Sequence, residues 1–286
     1  MSKKIKTWVE AVRVRTLPVS IAGVLSGAAC AVTTGQYQIL PIILCLLFAI
    51  LAQTASNFAN EYYDFRAGFD KAGREGPRRG VTEGDITPSS MRTATFVTLG
   101  LACGVGCSLI YWGGWWLIAV GLLIAIGVMA YSTGPYPLSH HGLGEIAVMI
   151  FFGIIPVNFT CYLATGSFST LSVISSVITG LMGTNVLLVN NYRDQPDDAA
   201  AGKRTLAVIF GTRFASLFYM FNGIVAAVLA FSYLPGCSYI SAGYLVCHLF
   251  LYNFMRTHRG AVLNPILGMT ACLMLLFSIL QLVVSY

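Results

Sequence analysis

Long apolar runs separated by short polar segments extend along the whole chain. Nine of these runs approach the roughly 17–25 residues that a helix needs to cross a bilayer, and they lack the alternation of a membrane β-barrel strand. The pattern predicts an all-α, polytopic membrane protein with nine transmembrane helices. We expect them near residues 17–34, 39–59, 93–111, 115–131, 146–163, 171–190, 214–234, 239–254 and 263–284.

Composition agrees with this pattern. Of 286 residues, 56% are hydrophobic and 10% are charged, whereas a soluble domain has about 25% charged residues. These values exclude a disordered chain and an ordinary soluble enzyme. Because the predicted spans leave no room for a soluble unit, we expect a single transmembrane domain over residues 1–286. The net charge of +6 is attributed to membrane topology rather than to a nucleic-acid partner.

The charged residues partition between alternate loops. If the N-terminus is cytoplasmic, the inside segments contain all 17 Lys and Arg residues, as the positive-inside rule requires. Nine spans then place the C-terminus outside. All 11 Asp and Glu residues also fall on the inside, which that rule does not require. This indicates that the chemistry is concentrated at the cytoplasmic face.

The first polar cluster lies at the end of the second predicted span. Asn57, Asn60, Glu61 and Asp64 follow helical spacings of three and four residues, so they share one helix face. Their oxygen atoms suit a hard cation such as Mg²⁺, although an isolated acidic face is often just a solvated helix end. Basic residues that could neutralise an anion follow downstream, among them Lys71, Arg78 and Arg79.

A second cluster follows the sixth predicted span. Asp194 and Asp198 are four residues apart, but Pro196 lies between them and favours a break or bend in the helix. The spacing therefore leaves open whether Asp198 or Asp197 faces the same site. Lys203 and Arg204 come next. Two carboxylate clusters with basic residues, all beside a membrane, are typical of a site that binds a diphosphate through Mg²⁺. A prenyl diphosphate fits these requirements.

A third inside segment, residues 131–145, is rich in Gly and Pro and is predicted as a turn-rich connection. His140 and His141 are adjacent within it. They are candidates for binding the acceptor or moving a proton, and a solvated loop is the alternative.

These motifs resemble the UbiA superfamily of intramembrane prenyltransferases. The stretches that carry the resemblance are Asn57 to Asp70, Gly76 to Arg79, Gly142 to Glu145 and Asn190 to Leu206. Within that superfamily the chain is most similar to the branch that prenylates 1,4-dihydroxy-2-naphthoate in menaquinone biosynthesis. The resemblance implies nine helices around a central cavity, a requirement for Mg²⁺ and a bacterial inner-membrane location. Its substrates would be a polyprenyl diphosphate and an aromatic acceptor.

The resemblance also implies roles for individual residues. Asp64, Asp194 and Tyr131 would be catalytic. Asn191 is expected to bind the acceptor, together with His140 and His141, which stand in a loop where many relatives carry a Lys. The expected metal ligands are Asn57, Asn60, Glu61, Asp64, Asp194 and Asp198, and the expected diphosphate contacts are Lys71, Arg78, Arg79, Lys203 and Arg204.

The expected reaction is electrophilic aromatic substitution with loss of diphosphate, CO₂ and a proton, giving demethylmenaquinone. The proton acceptor is open, with Asp64, His140 and His141 as candidates. A different ring, such as 4-hydroxybenzoate, is an alternative acceptor. A secondary transporter is the alternative of another class, but the charged residues near one face disfavour it. Prenyl chain length and oligomeric state are not predicted.

Overall fold

The computed structural model describes residues 3–70 and 76–286, and within them the regular structure is entirely helical. The all-α prediction is confirmed. The α-helices are α1 (Lys3–Val12), α2 (Leu17–Val32), α3 (Ile39–Arg66), α4 (Pro88–Ser108), α5 (Ile110–Gly113), α6 (Leu117–Ala130), α7 (Gly144–Val148), α8 (Ile155–Thr165), α9 (Thr170–Arg193), α10 (Gln195–Ala200), α11 (Leu206–Ile209), α12 (Gly211–Tyr233), α13 (Ser238–Thr257) and α14 (Asn264–Ser285). Two short 3₁₀ helices (Leu138–His140 and Gly260–Leu263) and a π-helix (Met149–Ile154) complete the set.

Six helical stretches in the described part of the chain are long and apolar enough to cross a membrane, and a seventh arises if the bent pair of α1 and α2 is one span. The remaining predicted spans coincide with α6, which has only 14 residues, and with α13, which has 20. The chain is therefore a multi-pass membrane protein. The count of nine spans and the orientation of the termini are not confirmed and stay predictions.

Small residues allow the central helices to approach closely. A Cβ atom on Gly153 would lie only 2.5 Å from the Cα atom of Gly180. Glycine at this position therefore allows the π-helix to pack closely against α9. A Cβ atom on Gly27 would lie 2.5 Å from the carbonyl oxygen of Val157, which joins α2 to α8. Such contacts replace the hydrophobic driving force that is missing between helices in lipid.

The polar segments gather at one end of the bundle, named here the charged end. It comprises the last turns of α3 and α9 and residues 76–87 and 194–205. Between α1 and α2 the chain bends by 48°, and Arg13 in that bend has a positive φ of 55°. Since a non-glycine residue rarely adopts this conformation, its surroundings must hold it there. A small core that includes Ala11, Phe58, Val81 and Met91 packs α1 and the 76–87 segment against α3.

Candidate active site

A cavity of about 170 Å³ lies at the charged end, between the ends of α3 and α9. We name it the polar cavity. It unites residues from both sequence clusters with residues from the 131–145 segment. Its polar lining includes Asn57, Asn60, Asp64, Arg79, Tyr131, Asn191, Asp194, Asp198 and Lys203 from the predicted site, together with Arg13, Glu145 and Asn190.

The amides of α3 are held in place by several hydrogen bonds. Asn57 Nδ2 donates to the carbonyl oxygen of Val12 at 2.8 Å. Asn60 Nδ2 donates to Ser132 Oγ at 3.1 Å, and its Oδ1 atom accepts from the guanidinium groups of Arg13 and Arg79. Asn60 therefore fixes two cations at the wall of the polar cavity, where an anionic ligand would meet them.

Asp64 is 1% exposed and is paired on both sides. Lys203 Nζ lies 2.7 Å from its Oδ2 atom, and His140 Nε2 lies 3.0 Å from its Oδ1 atom. The His140 ring in turn contacts Phe69, with ring centroids 4.3 Å apart. His140 is buried and does not line the polar cavity among the described residues. In this position its ring supports the carboxylate of Asp64, and its predicted contact with the acceptor stays a prediction.

Asp194 ends α9 and is held by its neighbour in sequence. Arg193 donates from Nε to Asp194 Oδ1 at 2.7 Å and from Nη2 to Oδ2 at 2.8 Å. Arg193 also donates to Asn190 and Asn264, so the pair is tied to both α9 and α14. Bidentate pairing of this kind fixes the plane of the carboxylate as well as its charge.

The structure resolves the ambiguity at Pro196. The chain leaves α9 at Asp194 and restarts as α10, in whose first turn proline is readily accommodated. The backbone N–H of Asp198 donates to the carbonyl oxygen of Asp194 at 2.8 Å. Asp198 is buried and lines the polar cavity, whereas Asp197 is exposed.

Besides His140, four of the predicted site residues lie outside the lining of the polar cavity among the described residues. Glu61 accepts from the backbone N–H of Val81 at 3.0 Å and is not among the described residues that line the polar cavity. It anchors the 76–87 segment, away from the cavity that the other expected metal ligands line. Arg78 is exposed and pairs with Asp85, whose hydrogen bond raises the pKa of Arg78. It is therefore not positioned to bind diphosphate.

The other two are His141 and Arg204. His141 stacks on Tyr136 with ring centroids 3.8 Å apart, and its Nδ1 atom lies 2.8 Å from the carbonyl oxygen of Pro137. Arg204 is exposed, and its backbone N–H donates to the carbonyl oxygen of His140. Neither side chain lines the polar cavity in the described part of the chain. Lys71, the remaining predicted diphosphate contact, lies outside the described residues.

A second cavity of about 300 Å³, the apolar cavity, adjoins the polar cavity. Phe48, Cys107, Leu117, Gly121 and Phe151 contribute to its walls. The residues shared by both cavities, and so marking their junction, are Gln53, Ser56, Tyr131, Val148 and Phe152. A ligand with an anionic head and an apolar tail would fit across this junction.

The described residues hold no group of three His, Cys, Asp or Glu side chains arranged to bind a metal alone. The buried carboxylates of Asp64, Asp194 and Asp198 instead line one polar cavity from different elements. Mg²⁺ is commonly held by one or two carboxylates together with substrate phosphates rather than by a cage of protein ligands. The donor set therefore fits a divalent cation that binds with a diphosphate.

Comparison with known proteins places this site in a family. Residues 20–281 match the model of the UbiA prenyltransferase family. The chain belongs to the UbiA prenyltransferase family. It is a prenyltransferase, as the resemblance implied.

Among its relatives is the 1,4-dihydroxy-2-naphthoate octaprenyltransferase of Haemophilus influenzae, which is 32% identical over 98% of this chain and 96% of the relative. The protein of the same name from Mycobacterium tuberculosis is 34% identical, with 95% and 94% covered. The one from Escherichia coli is 36% identical, with 72% and 69% covered.

Solved structures of other UbiA homologues share the fold. A UbiA homologue from Archaeoglobus fulgidus, solved with GPP and Mg²⁺, superposes with a TM-score of 0.68 at 13% identity and covers 97% of this chain and 99% of that chain. A homologue from Aeropyrum pernix K1, solved in the apo form, gives a TM-score of 0.70 at 12% identity, with 91% and 97% covered. The arrangement of helices in this prenyltransferase is thus that of the family.

Two charged residues that line the polar cavity of this UbiA-family chain, Arg13 and Glu145, were not part of the predicted site. Arg13 enters the polar cavity because the bend between α1 and α2 turns it inward, and a bend between two helices gives little signal in the sequence. Glu145 is buried and lines the same cavity. In the sequence, Glu145 is marked only by the Gly142 to Glu145 motif, which carries the resemblance to the family and does not by itself indicate a role for the carboxyl group.

Proposed function

We propose that this enzyme transfers a polyprenyl chain from its diphosphate to 1,4-dihydroxy-2-naphthoate in an Mg²⁺-dependent reaction. Diphosphate, CO₂ and a proton are lost, and demethylmenaquinone is formed. The observation that carries the proposal is a polar cavity, lined by four buried carboxyl groups and several cations, that shares wall residues with an adjoining apolar cavity. The choice of acceptor rests on the names of the bacterial relatives.

The polar cavity would bind the diphosphate. Lys203, Arg13 and Arg79 line it and supply positive charge. Asn57, Asn60, Asp64, Asp194 and Asp198 would hold the metal, which supplies charge neutralisation for the leaving group. A homologue from Archaeoglobus fulgidus was solved with DMAPP and Mg²⁺, which supports the binding of a divalent cation together with a prenyl diphosphate in this fold. The cations of the chain stabilise the negative charge that develops as the allylic C–O bond breaks.

The apolar cavity would bind the prenyl tail and protect the allylic cation. Its walls are predominantly aliphatic and aromatic side chains from α3, α4, α6 and α8. Water is excluded from such a surface, so hydrolysis of the cation is suppressed. The aromatic acceptor would lie at the junction, beside Tyr131, and its electron-rich ring would attack the allylic carbon. Asn191, which lines the polar cavity, stays a proposed acceptor contact.

The wider setting is proposed on the same basis. We place the enzyme in the bacterial inner membrane as one transmembrane domain, with the charged end on the cytoplasmic side as the distribution of Lys and Arg indicates. Prenylation of 4-hydroxybenzoate remains the alternative reaction. The secondary-transporter alternative loses its support, because the chain belongs to a family of prenyltransferases.

The test is a prenyl-transfer assay on the protein in lipid nanodiscs. Polyprenyl diphosphate and Mg²⁺ are supplied with either 1,4-dihydroxy-2-naphthoate or 4-hydroxybenzoate, and the products are identified by mass spectrometry. We expect a decarboxylated prenyl naphthoquinol that is lost with a chelator and in Asp64→Asn and Asp198→Asn. Asp197→Asn is the matched control, since Asp197 is exposed beside Asp198. Product from 4-hydroxybenzoate alone would refute the proposed acceptor, and no transfer to either ring would refute the reaction.

A further inference from the structure

Glu145 lies where the acceptor ring would have to react. It occupies the first turn of α7, is 5% exposed and lines the polar cavity. Val148 follows three residues later, on the same side of the helix, and lines both cavities. Tyr131, also at the junction, is close by, because a Cβ atom on the adjacent Gly144 would lie 3.7 Å from Tyr131 Oη. Glu145 therefore lies beside the junction, between the diphosphate end and the tail end.

The carboxyl group of Glu145 is only half satisfied. Its Oε1 atom accepts a hydrogen bond from Asn191 Nδ2 at 2.9 Å, whereas its Oε2 atom is buried and has no hydrogen-bond partner among the described residues. A buried oxygen without a partner is costly, and such groups in native proteins commonly await a ligand or serve catalysis. The hydroxyl group of an aromatic acceptor is the donor that this position lacks.

The other candidates for proton transfer are engaged elsewhere. Both carboxylate oxygens of Asp64 are occupied, one by Lys203 and the other by His140. Nε2 of His140 is held by Asp64, and His140 is not among the described residues that line the cavity. His141 is stacked on Tyr136 and held by Pro137. Of these groups and Glu145, only Glu145 presents an unpartnered oxygen to the cavity.

We propose that Glu145 is the catalytic base that takes the hydroxyl proton of the aromatic acceptor, with Asn191 holding the carboxylate in position. This inference rests on the proposed function. Removal of the proton leaves the bonding electron pair of the O–H group on the oxygen. This electron pair raises the electron density of the ring. The adjacent ring carbon then forms a bond to the allylic carbon, while the electron pair of the breaking C–O bond leaves with diphosphate.

The same residue completes the reaction. The proton that the overall reaction releases is the one that the carboxyl group of the acceptor gives up on ionising. The attacked ring carbon then loses this carboxylate as CO₂, and the bonding pair returns to the ring. The oxygen recovers its proton from Glu145, which is thereby ready for another cycle. The residue acts as base and then as acid, so no oxidant or further reactant is required.

The test is Glu145→Gln, which keeps the size of the side chain and can still accept a hydrogen bond but cannot take a proton. Glu83→Gln is the matched control, because Glu83 is exposed on the 76–87 segment. General-base catalysis contributes about 10²–10⁴-fold, so we expect kcat for prenyl transfer to fall at least about 100-fold at neutral pH in Glu145→Gln only. We expect the KM for prenyl diphosphate and the slow acceptor-independent release of diphosphate to stay within about threefold of wild type.

The pH profile separates a base from a structural residue. As pH approaches the pKa of the acceptor hydroxyl, the acceptor ionises without help, so the deficit of Glu145→Gln should shrink. The nearby phenol of Tyr131 is controlled with Tyr131→Phe, whose deficit should not vary in this way. A deficit that is constant with pH, an equal loss of acceptor-independent diphosphate release, or activity within about threefold of wild type would each overturn the proposal. Wild-type enzyme that does not prenylate the naphthoate would instead refute the proposed function, before any variant is compared.

Discussion

Lys203→Met is expected to change the affinities for metal and for prenyl diphosphate in opposite directions. Lys203 Nζ lies 2.7 Å from Asp64 Oδ2, where two unit charges attract by about 6 kcal/mol at an effective dielectric constant of about 20. Desolvation of these two buried groups offsets most of that attraction. The net value of a hydrogen bond to a charged group is about 1.5–3 kcal/mol, which corresponds to about 10- to 150-fold in affinity.

The direction follows from competition for one oxygen atom. In the absence of substrate, a divalent cation that binds Asp64 must displace Lys203. Removal of the lysine side chain should therefore strengthen metal binding by up to this factor. A bound diphosphate would pair with Lys203, so removal of the lysine side chain should weaken prenyl diphosphate binding by a similar factor. Calorimetric titration of nanodisc-embedded protein with Mn²⁺ measures the first quantity, and the KM for prenyl diphosphate in the transfer assay reports the second.

Arg204→Met is the matched control, because Arg204 is the next residue but its exposed side chain does not line the polar cavity in the described structure. Both quantities should stay within about threefold of wild type. Weaker Mn²⁺ binding in Lys203→Met would show that Lys203 does not compete with the metal. Changes of the same size in both variants would show that only the overall positive charge matters.

Two further variants test the walls of the site. His140→Phe keeps a ring beside Phe69 but removes the contact to Asp64, so kcat should fall about 10-fold, as expected for the loss of one hydrogen bond to a charged group. The control His141→Phe should match wild type. Equal losses in the two variants would contradict a role for His140 in supporting Asp64. Gly121→Phe places a ring in the apolar cavity, so kcat/KM for an octaprenyl donor should fall at least about 10-fold more than kcat/KM for a geranyl donor. The control is Gly100→Phe, on the exposed surface of α4, which should affect both donors equally. An equal loss for both donors in Gly121→Phe would disprove the steric argument.

Helical spacing predicted most of the first cluster but not its edge. At about 100° per residue, Asn57, Asn60 and Asp64 form a stripe, and Glu61 stands at its margin. Whether a side chain at the margin faces the cavity depends on which segment packs against that side of the helix. Here the backbone of Val81 packs there and donates a hydrogen bond to Glu61. A covering segment that comes from 20 residues further along the chain leaves no trace in the local pattern.

The second cluster was predictable in type but not in detail. Pro196 correctly indicated that α9 ends, but the restart as α10, which brings Asp198 back to the cavity, depends on tertiary contacts. Basic residues were the least predictable. Lys203, Arg204 and Arg78 carry the same charge and lie near the same motifs, yet only Lys203 of these three lines the polar cavity among the described residues. Long flexible side chains follow their nearest carboxylate, which sequence spacing does not identify.

The shortness of α6 has a consequence for the surrounding lipid. Its 14 residues rise about 21 Å at about 1.5 Å per residue, against a hydrocarbon thickness of about 30 Å. Such hydrophobic mismatch is relieved by local thinning of the bilayer. Because α6 forms one wall of the apolar cavity, the membrane would be thinnest beside the compartment for the prenyl tail. A thicker bilayer increases the mismatch at this wall, so we expect turnover in nanodiscs to decrease as the acyl chains lengthen. A rate independent of acyl length would contradict this link between bilayer thickness and the prenyl-tail compartment.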